Sequence, residues 1–342
     1  MGGNALKDCI INRIPRDKYT EIIEYLTPIL NEYYSDVKVP KCFPEKADFG
    51  DVDFLVVQDS TKQELDPITH PSILSKGVSI NGNIMSFEYR EAQIDIIAIP
   101  NMAWSQMFYD WLDFGMIIGI LARAYGYQFS PKGLSVLVSG QESDSEMKIN
   151  PSHGEFIPLF LTSDPVVALK YFGFDADRYA KGFTSMEECF LFFQSSPKFK
   201  RSIFDSKKKL DMHAHRPMYK KMVEWLRDQD TEVLADFDQL SLSKTYGLTL
   251  SELKTILITF NQLHAYEQLI KQQQRVKLLK SKYNGKIVEQ ITSYTGKDLG
   301  TFIKNFKEHK GPGMDDWILA TPEAEIVGEI TTYYNETKLE TL

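Results

Sequence analysis

The chain reads as an α+β protein: a small mixed-sheet domain followed by a mainly α-helical region. Three observations predict this. Two short apolar runs, Phe54-Leu55-Val56-Val57 and Ile96-Ile97-Ala98-Ile99, flank a hairpin signal at Asn81-Gly82. Further on, the apolar spacing changes to that of a helix. Helix-start patterns then recur at Asp164-Pro165, at Thr184 with Glu187, and at Thr249 with Glu252. The expected organisation is a domain over residues 1–138, a linker or mobile loop over 139–153, and a helical domain over 154–342. The middle segment is assigned from its polar, acidic run Gln141-Glu142-Ser143-Asp144-Ser145-Glu146.

The first element is a helix over residues 15–35. Pro15 leads in, and Tyr19, Ile22, Ile23, Leu26, Ile29 and Leu30 make one apolar face. Pro28 is expected to kink it. Gly50-Asp51-Val52-Asp53-Phe54-Leu55-Val56-Val57 then predicts a buried strand that starts on two carboxylates, with Gly50 supplying a tight turn into it. Side chains two apart along a strand share a face, so Asp51 and Asp53 project together. Carboxylates that close repel unless a cation joins them. Hard cations such as Mg²⁺ take carboxylate oxygens.

Residues 77–89 predict the hairpin, turning at Asn81-Gly82. Gln93-Ile94-Asp95-Ile96-Ile97-Ala98-Ile99 predicts a second buried strand, ended by Pro100. Asp95 is the sole charge in that run, and a lone buried carboxylate costs roughly several kcal/mol unless paired or metal-bound. Taken singly, Asp51 can cap a strand and Asp95 can pair with Arg90 or a lysine. Three acids in this order favour a site.

The order of these elements resembles the DNA polymerase beta-like nucleotidyltransferase superfamily. The resemblance rests on Gly50-Asp51-Val52-Asp53-Phe54-Leu55-Val56 and on Asp95 in a neighbouring strand, within residues 36–100. In style it is nearest to poly(A) polymerase and CCA-adding enzymes, since Thr295-Gly296-Lys297-Asp298-Leu299-Gly300 is similar to a Gly-x-x-Leu-Gly pattern near the end of their helical region. The resemblance implies a nucleotidyltransferase catalytic domain that passes a nucleoside monophosphate from an NTP to an acceptor hydroxyl. Asp51, Asp53 and Asp95 would be catalytic and would hold Mg²⁺ or Mn²⁺. The superfamily places Gly-Ser or Gly-Gly before the first acid, where backbone N–H groups bind the triphosphate. This chain has Pro40-Lys41-Cys42-Phe43-Pro44 there. Either Lys41 or Lys46, with Gly50, serves the nucleotide instead, or triphosphate binding is altered.

After the acids, Trp104 to Tyr125 predicts one largely buried helix ending at Gly126. Gln128 to Val138 holds a short apolar segment around a Pro131-Lys132-Gly133 turn. Residues 154–240 are expected to be mainly helical, with Phe190, Leu191, Phe192 and Phe193 in the core. Asp230 to Ser243 is a helix or acidic loop. From Thr249 one helix is expected to run to Tyr283, followed by helices near 286–293 and 297–309, ended at Gly311-Pro312-Gly313.

The net charge of −8 argues against a globally basic nucleic-acid coat protein, but not against a local basic groove. Two basic segments qualify. One includes Lys207, Lys208, Lys209, Arg216, Lys220 and Lys221. The other includes Arg275, Lys277, Lys280, Lys282 and Lys310. Aromatic residues lie among them, among them Phe204, Tyr219, Tyr283, Phe302 and Phe306, as suits single-stranded nucleic acid. The expected acceptor is therefore an RNA 3′ end, extended without a template. A protein or small-molecule acceptor, a nucleotide signal, or a binding protein without activity are the alternatives. His213-Ala214-His215 is expected in a surface loop. Cys9, Cys42 and Cys189 lie far apart, which favours a reducing compartment without structural zinc. With no apolar run long enough for a membrane and no secretory signal read at the start, a cytoplasmic place is expected, a nuclear one remaining open. The pattern does not give the oligomeric state.

Overall fold

The structure, a computed structural model, describes residues 5–139, 156–205, 207–229 and 248–339. It is α+β, with a mixed sheet before the helical region. A short strand β1 (Ile14–Pro15) leads into helix α1 (Arg16–Tyr33), and β1 pairs with β3 (Asp48–Phe49). The main sheet has five strands: β2 (Tyr34–Lys38), β4 (Val52–Gln58), β5 (Val78–Asn81), β6 (Ile84–Tyr89) and β7 (Ala92–Ala98). Their order is β2-β4-β7-β6-β5. β4 and β7 run parallel, and the other neighbours are antiparallel.

The alternation of the two central strands decides what each face does. Val52, Phe54 and Val56 of β4, with Ile94 and Ile96 of β7, are buried against Ile22, Leu26 and Leu30 of α1. These positions are i, i+4 and i+8 on the helix, so one stripe meets one strand face. The opposite face carries Leu55 and Ile97, which pack with Ile99, Met102 and Tyr109. The same parity puts Asp53 and Asp95 on that second face, away from α1. Helix α1 continues through Pro28.

The hairpin turns one residue later than expected. Asn81 pairs with Ile84, which leaves Gly82 and Asn83 as the turn. Gly82 sits at φ +60°, the conformation a two-residue hairpin needs at its first central position.

The predicted helix from Trp104 to Tyr125 is two helices, α2 (Met102–Tyr109) and α3 (Phe114–Ala124). Between them Trp111 and Leu112 take positive φ, +57° and +63°. Tertiary contacts override the helical pattern here. The buried Asp110 carboxylate accepts from the Lys41 N–H at 2.7 Å and the Tyr179 hydroxyl at 3.1 Å. The Trp111 N–H donates to the Lys41 carbonyl at 2.7 Å, and its ring packs on Phe43 and Phe183.

A three-stranded sheet follows, β8 (Tyr127–Ser130), β9 (Gly133–Ser139) and β10 (Phe156–Thr162), in the order β10-β9-β8. Then come α4 (Pro165–Tyr171), α5 (Ala176–Lys181), α6 (Met186–Gln194), α7 (Lys207–Met212) and α8 (Pro217–Asp228). The cap of α6 is Ser185 rather than Thr184. Its hydroxyl accepts from the Glu188 N–H, and the Glu188 carboxylate accepts from the Thr184 N–H. Phe192 and Phe193 pack around Phe114, with Tyr179 and Phe183 beside them.

The structure divides into two compact units at Gln262 and Leu263. That packing explains why the helices after residue 156 join the sheet in the first unit. The expected boundary over 139–153 is therefore not where the units part, and residues 140–153 lie outside the described residues, as does the segment 230–243. The expected single helix from Thr249 to Tyr283 also breaks there, into Leu250–Thr259 and Leu263–Lys282, with Asn261 at φ +53°. The Thr249–Glu252 capping box is present.

The second unit holds helices Leu263–Lys282, Gly285–Thr292, Gly296–Lys310, Met314–Ala320 and Glu323–Leu339. Val288, Phe302, Phe306, Met314, Ile318, Ile326 and Ile330 make its core. Among the described residues no helix is long and apolar enough to cross a membrane.

Candidate functional site

Asp51 immediately precedes β4, Asp53 is its second residue, and Asp95 lies in β7. The parallel register sets Asp53 directly beside Asp95. Asp51 shares their face by its two-residue spacing from Asp53. One carboxylate oxygen from each of the three lies within 4.8 Å of the others. All three side chains are half-buried. The structure thus brings together the three acids that the sequence singles out.

Crowding of like charge shows in their protonation. Asp53 is pushed up to about 8, first by burial and then by the charges of Asp51 and Asp95, while Lys46 pulls the other way. Asp95 is also raised, chiefly by burial and then by Asp51. Its two neighbours oppose this. Ser86, its partner across the antiparallel β6–β7 pair, hydrogen-bonds its carboxylate. Gln93, two residues before it on the same face, donates its amide to both Asp95 oxygens, at 2.9 and 3.1 Å. Gln93 is itself buried, and its carbonyl accepts from the Ala5 N–H at 2.9 Å. Three hard oxygen donors this close, one of them oriented by an amide and a hydroxyl, are a donor set that suits a divalent cation such as Mg²⁺.

Asp51 and Asp53 open onto a cavity of about 900 Å³ within the first unit, which Asp95 does not line. Glu45, Lys46, Asp48 and Gly50 line it beside them. So do His215, Arg216, Met218 and Lys221, around the start of α8, and Leu112 and Asp113 from the α2–α3 break. Lys46 lies 4.1 Å above the Phe49 ring, and burial lowers its pKa, against the fields of Cys42, Asp51 and Asp53. Lys41 is placed differently. It does not line the cavity, and its N–H and carbonyl are both taken by the Asp110–Trp111 break.

The basic residues named from sequence fall in both units. Lys207, Lys208 and Lys209 lie in α7, and Arg216 sits at the cavity, 3.5 Å from Asp113. His213 precedes Arg216 in a turn. Burial, then Lys209, His215 and Arg216, hold its pKa below the ordinary value. In the second unit, Arg275 pairs with Asp316 at 2.6 Å, while Lys277 and Lys280 are exposed on the same helix. Lys282 donates to the carbonyls of Leu319 and Thr321, and Lys310 pairs with Glu329 and lies over the Trp317 ring. These two lysines hold the unit together. The aromatic residues differ from expectation as well: Phe204, Tyr219, Phe302 and Phe306 are buried in cores. A ring closed into a core has no free face for a base.

Sequence reasoning missed Ser86, Gln93, Asp110 and Asp113. Gln93 carried a usable signal, since a polar residue two before a buried acid shares its strand face. Asp110 and Asp113 carried none, because their place depends on the break in a segment that reads as helix.

No family model matches the chain, and no curated protein matches it. Among solved structures, two ternary complexes of Leishmania infantum polymerase beta, a gap complex and a P/T complex, align with it at 16% identity and a TM-score of 0.27. Each alignment covers 38% of this chain, and 53% and 60% of those chains respectively, so the chain spans less than two thirds of their length. A superposition that loose carries no argument by itself, and the reading of the site rests on its own geometry.

Proposed function

We propose that this protein is a divalent-metal-dependent nucleotidyltransferase. It moves a nucleoside monophosphate from an NTP to an acceptor hydroxyl, which we assign as an RNA 3′ end extended without a template. The observation that carries this is the meeting of Asp51, Asp53 and Asp95 within 4.8 Å. Mg²⁺ or Mn²⁺ bound by these carboxylates would supply the Lewis-acid charge for in-line displacement at the α-phosphorus. The acceptor oxygen forms the new bond to phosphorus, the bond to the β-phosphate bridging oxygen breaks, and pyrophosphate leaves. Asp95, oriented by Gln93 and Ser86, takes the proton of the acceptor hydroxyl. Asp51 and Asp53 would hold the cation beside the nucleotide's phosphates.

The exposed Lys277 and Lys280 support the RNA acceptor. The burial of Phe302 and Phe306, and the internal use of Lys282 and Lys310, favour a second reading in which the acceptor is a protein or a small molecule. The test is transfer of label from each α-labelled NTP, with Mg²⁺ or Mn²⁺, to total RNA. The Asp51→Ala/Asp53→Ala protein runs alongside. Label on RNA with wild type alone supports the assignment. Label on protein or in small products moves it to the second reading. Undiminished transfer by the double variant overturns the metal site.

A further inference from the structure

The loop before β4 leaves open where a phosphate chain would be held. Pro40 and Pro44 have no N–H to offer. Lys41 has its N–H and carbonyl engaged by Asp110 and Trp111, and the Lys46 N–H donates to the Phe43 carbonyl. Four positions within residues 40–46 therefore offer no free backbone N–H to a triphosphate. The cavity itself offers side-chain cations. Arg216 and Lys221 both line it together with Asp51 and Asp53, and both are exposed. Arg216 precedes α8, and Lys221 stands four residues after Pro217 on the same helical face. Their charge is incompletely matched on the protein: Arg216 reaches Asp113 only at 3.5 Å. Lys209, His215 and Arg216 add to burial in holding the pKa of the neighbouring His213 down. A cavity of about 900 Å³ is large enough to take a nucleotide.

Resting on the nucleotidyltransferase reading, we propose that Arg216 and Lys221 bind the β- and γ-phosphates of the NTP. Arg216 thereby leaves the nucleic-acid set in which its sequence neighbours place it. Guanidinium and ammonium donors on a packed helix replace the backbone N–H groups of the altered loop. The side chains carry the recognition, and the start of α8, which no side chain caps, adds partial positive charge beside them.

The test is calorimetric binding of each NTP, of inorganic tripolyphosphate and of each nucleoside monophosphate, with Ca²⁺ in place of Mg²⁺ to block turnover. The proteins are wild type, Arg216→Ala, Lys221→Ala, Arg216→Lys and Lys41→Ala. The alanine variants at 216 and 221 should weaken NTP and tripolyphosphate at least tenfold and leave monophosphate affinity unchanged, with Arg216→Lys recovering part of the loss. Unchanged NTP affinity overturns the proposal, as does an equal loss for NTP and monophosphate. Loss confined to Lys41→Ala also overturns it, by returning the phosphates to the loop. Weakened binding of a single-stranded RNA oligonucleotide with NTP affinity intact overturns it in favour of a nucleic-acid role. Wild-type protein that binds neither NTP nor tripolyphosphate defeats the nucleotidyltransferase reading along with this one.

Discussion

Asp53 holds the site's main electrostatic conflict. Its carboxyl is pushed up to about 8 by burial and by two neighbouring acids. An acid whose folded pKa lies above its unfolded value, about 3.9, weakens the fold as pH rises between the two, and the penalty is complete near pH 8. Asp53→Asn removes that penalty. In a metal chelator, its thermal midpoint should exceed wild type by several degrees at pH 8.5 and by far less at pH 5. Equal midpoints at both values would remove the account by burial and like charge. Gln93 poses the complementary case. Gln93→Leu should leave the carboxylates in place but free Asp95 to rotate, with a loss of about 10–100-fold in metal affinity or activity, as for other partners that orient a metal ligand. Electron paramagnetic resonance of Mn²⁺ binding reads this without turnover. At this scale much was legible, because a period-two pattern fixes which acids share a face. The unread part, such as Asp110 on Lys41, depends on residues that are far apart along the chain and meet only in the fold.

The break between α2 and α3 shows how an element escapes its local pattern. The apolar stripe from Trp104 to Leu121 fits one helix, yet the backbone reverses at Trp111 and Leu112. Gly115 lets the two helices approach. A Cβ there would stand 2.2 Å from the Phe108 carbonyl oxygen. Gly115→Ala should therefore cost about 1–3 kcal/mol through overpacking, measured as a lower denaturation midpoint. Because Leu112 and Asp113 line the cavity, the same variant should weaken nucleotide binding. The strands were easier to read than the helices. A strand's buried run and its turn residues are local, whereas the junctions at residues 110–113 and 260–262 are set by what packs on them.

At the scale of the whole molecule, two compact units imply two unfolding events. The core of the second unit centres on Phe306, which stacks on Tyr283 and Phe302. Phe306→Ala should destabilise that unit by about 3–5 kcal/mol. Differential scanning calorimetry should show one transition moving down and the other unmoved, while binding of NTP in the first unit persists. A single transition that shifts as a whole would mean that the units unfold together. The division at Gln262 and Leu263 was not visible in the sequence. Composition marks 139–153 as a seam, whereas aromatic packing around Phe114 ties α5 and α6 into the first unit, which runs on to Gln262.

The pairing of Asp53 with Asp95 is a matter of strand register and not of distance along the chain. Related chains can therefore differ in length between these acids without losing the arrangement. Residues gained at the exposed tip of the β5–β6 hairpin, around Gly82 and Asn83, extend outward and leave both carboxylates where they are. A single residue lost inside β7 has the opposite effect: it turns Asp95 toward α1. Insertions and deletions in descendants of this sequence should accordingly collect at that tip and be absent from the two central strands.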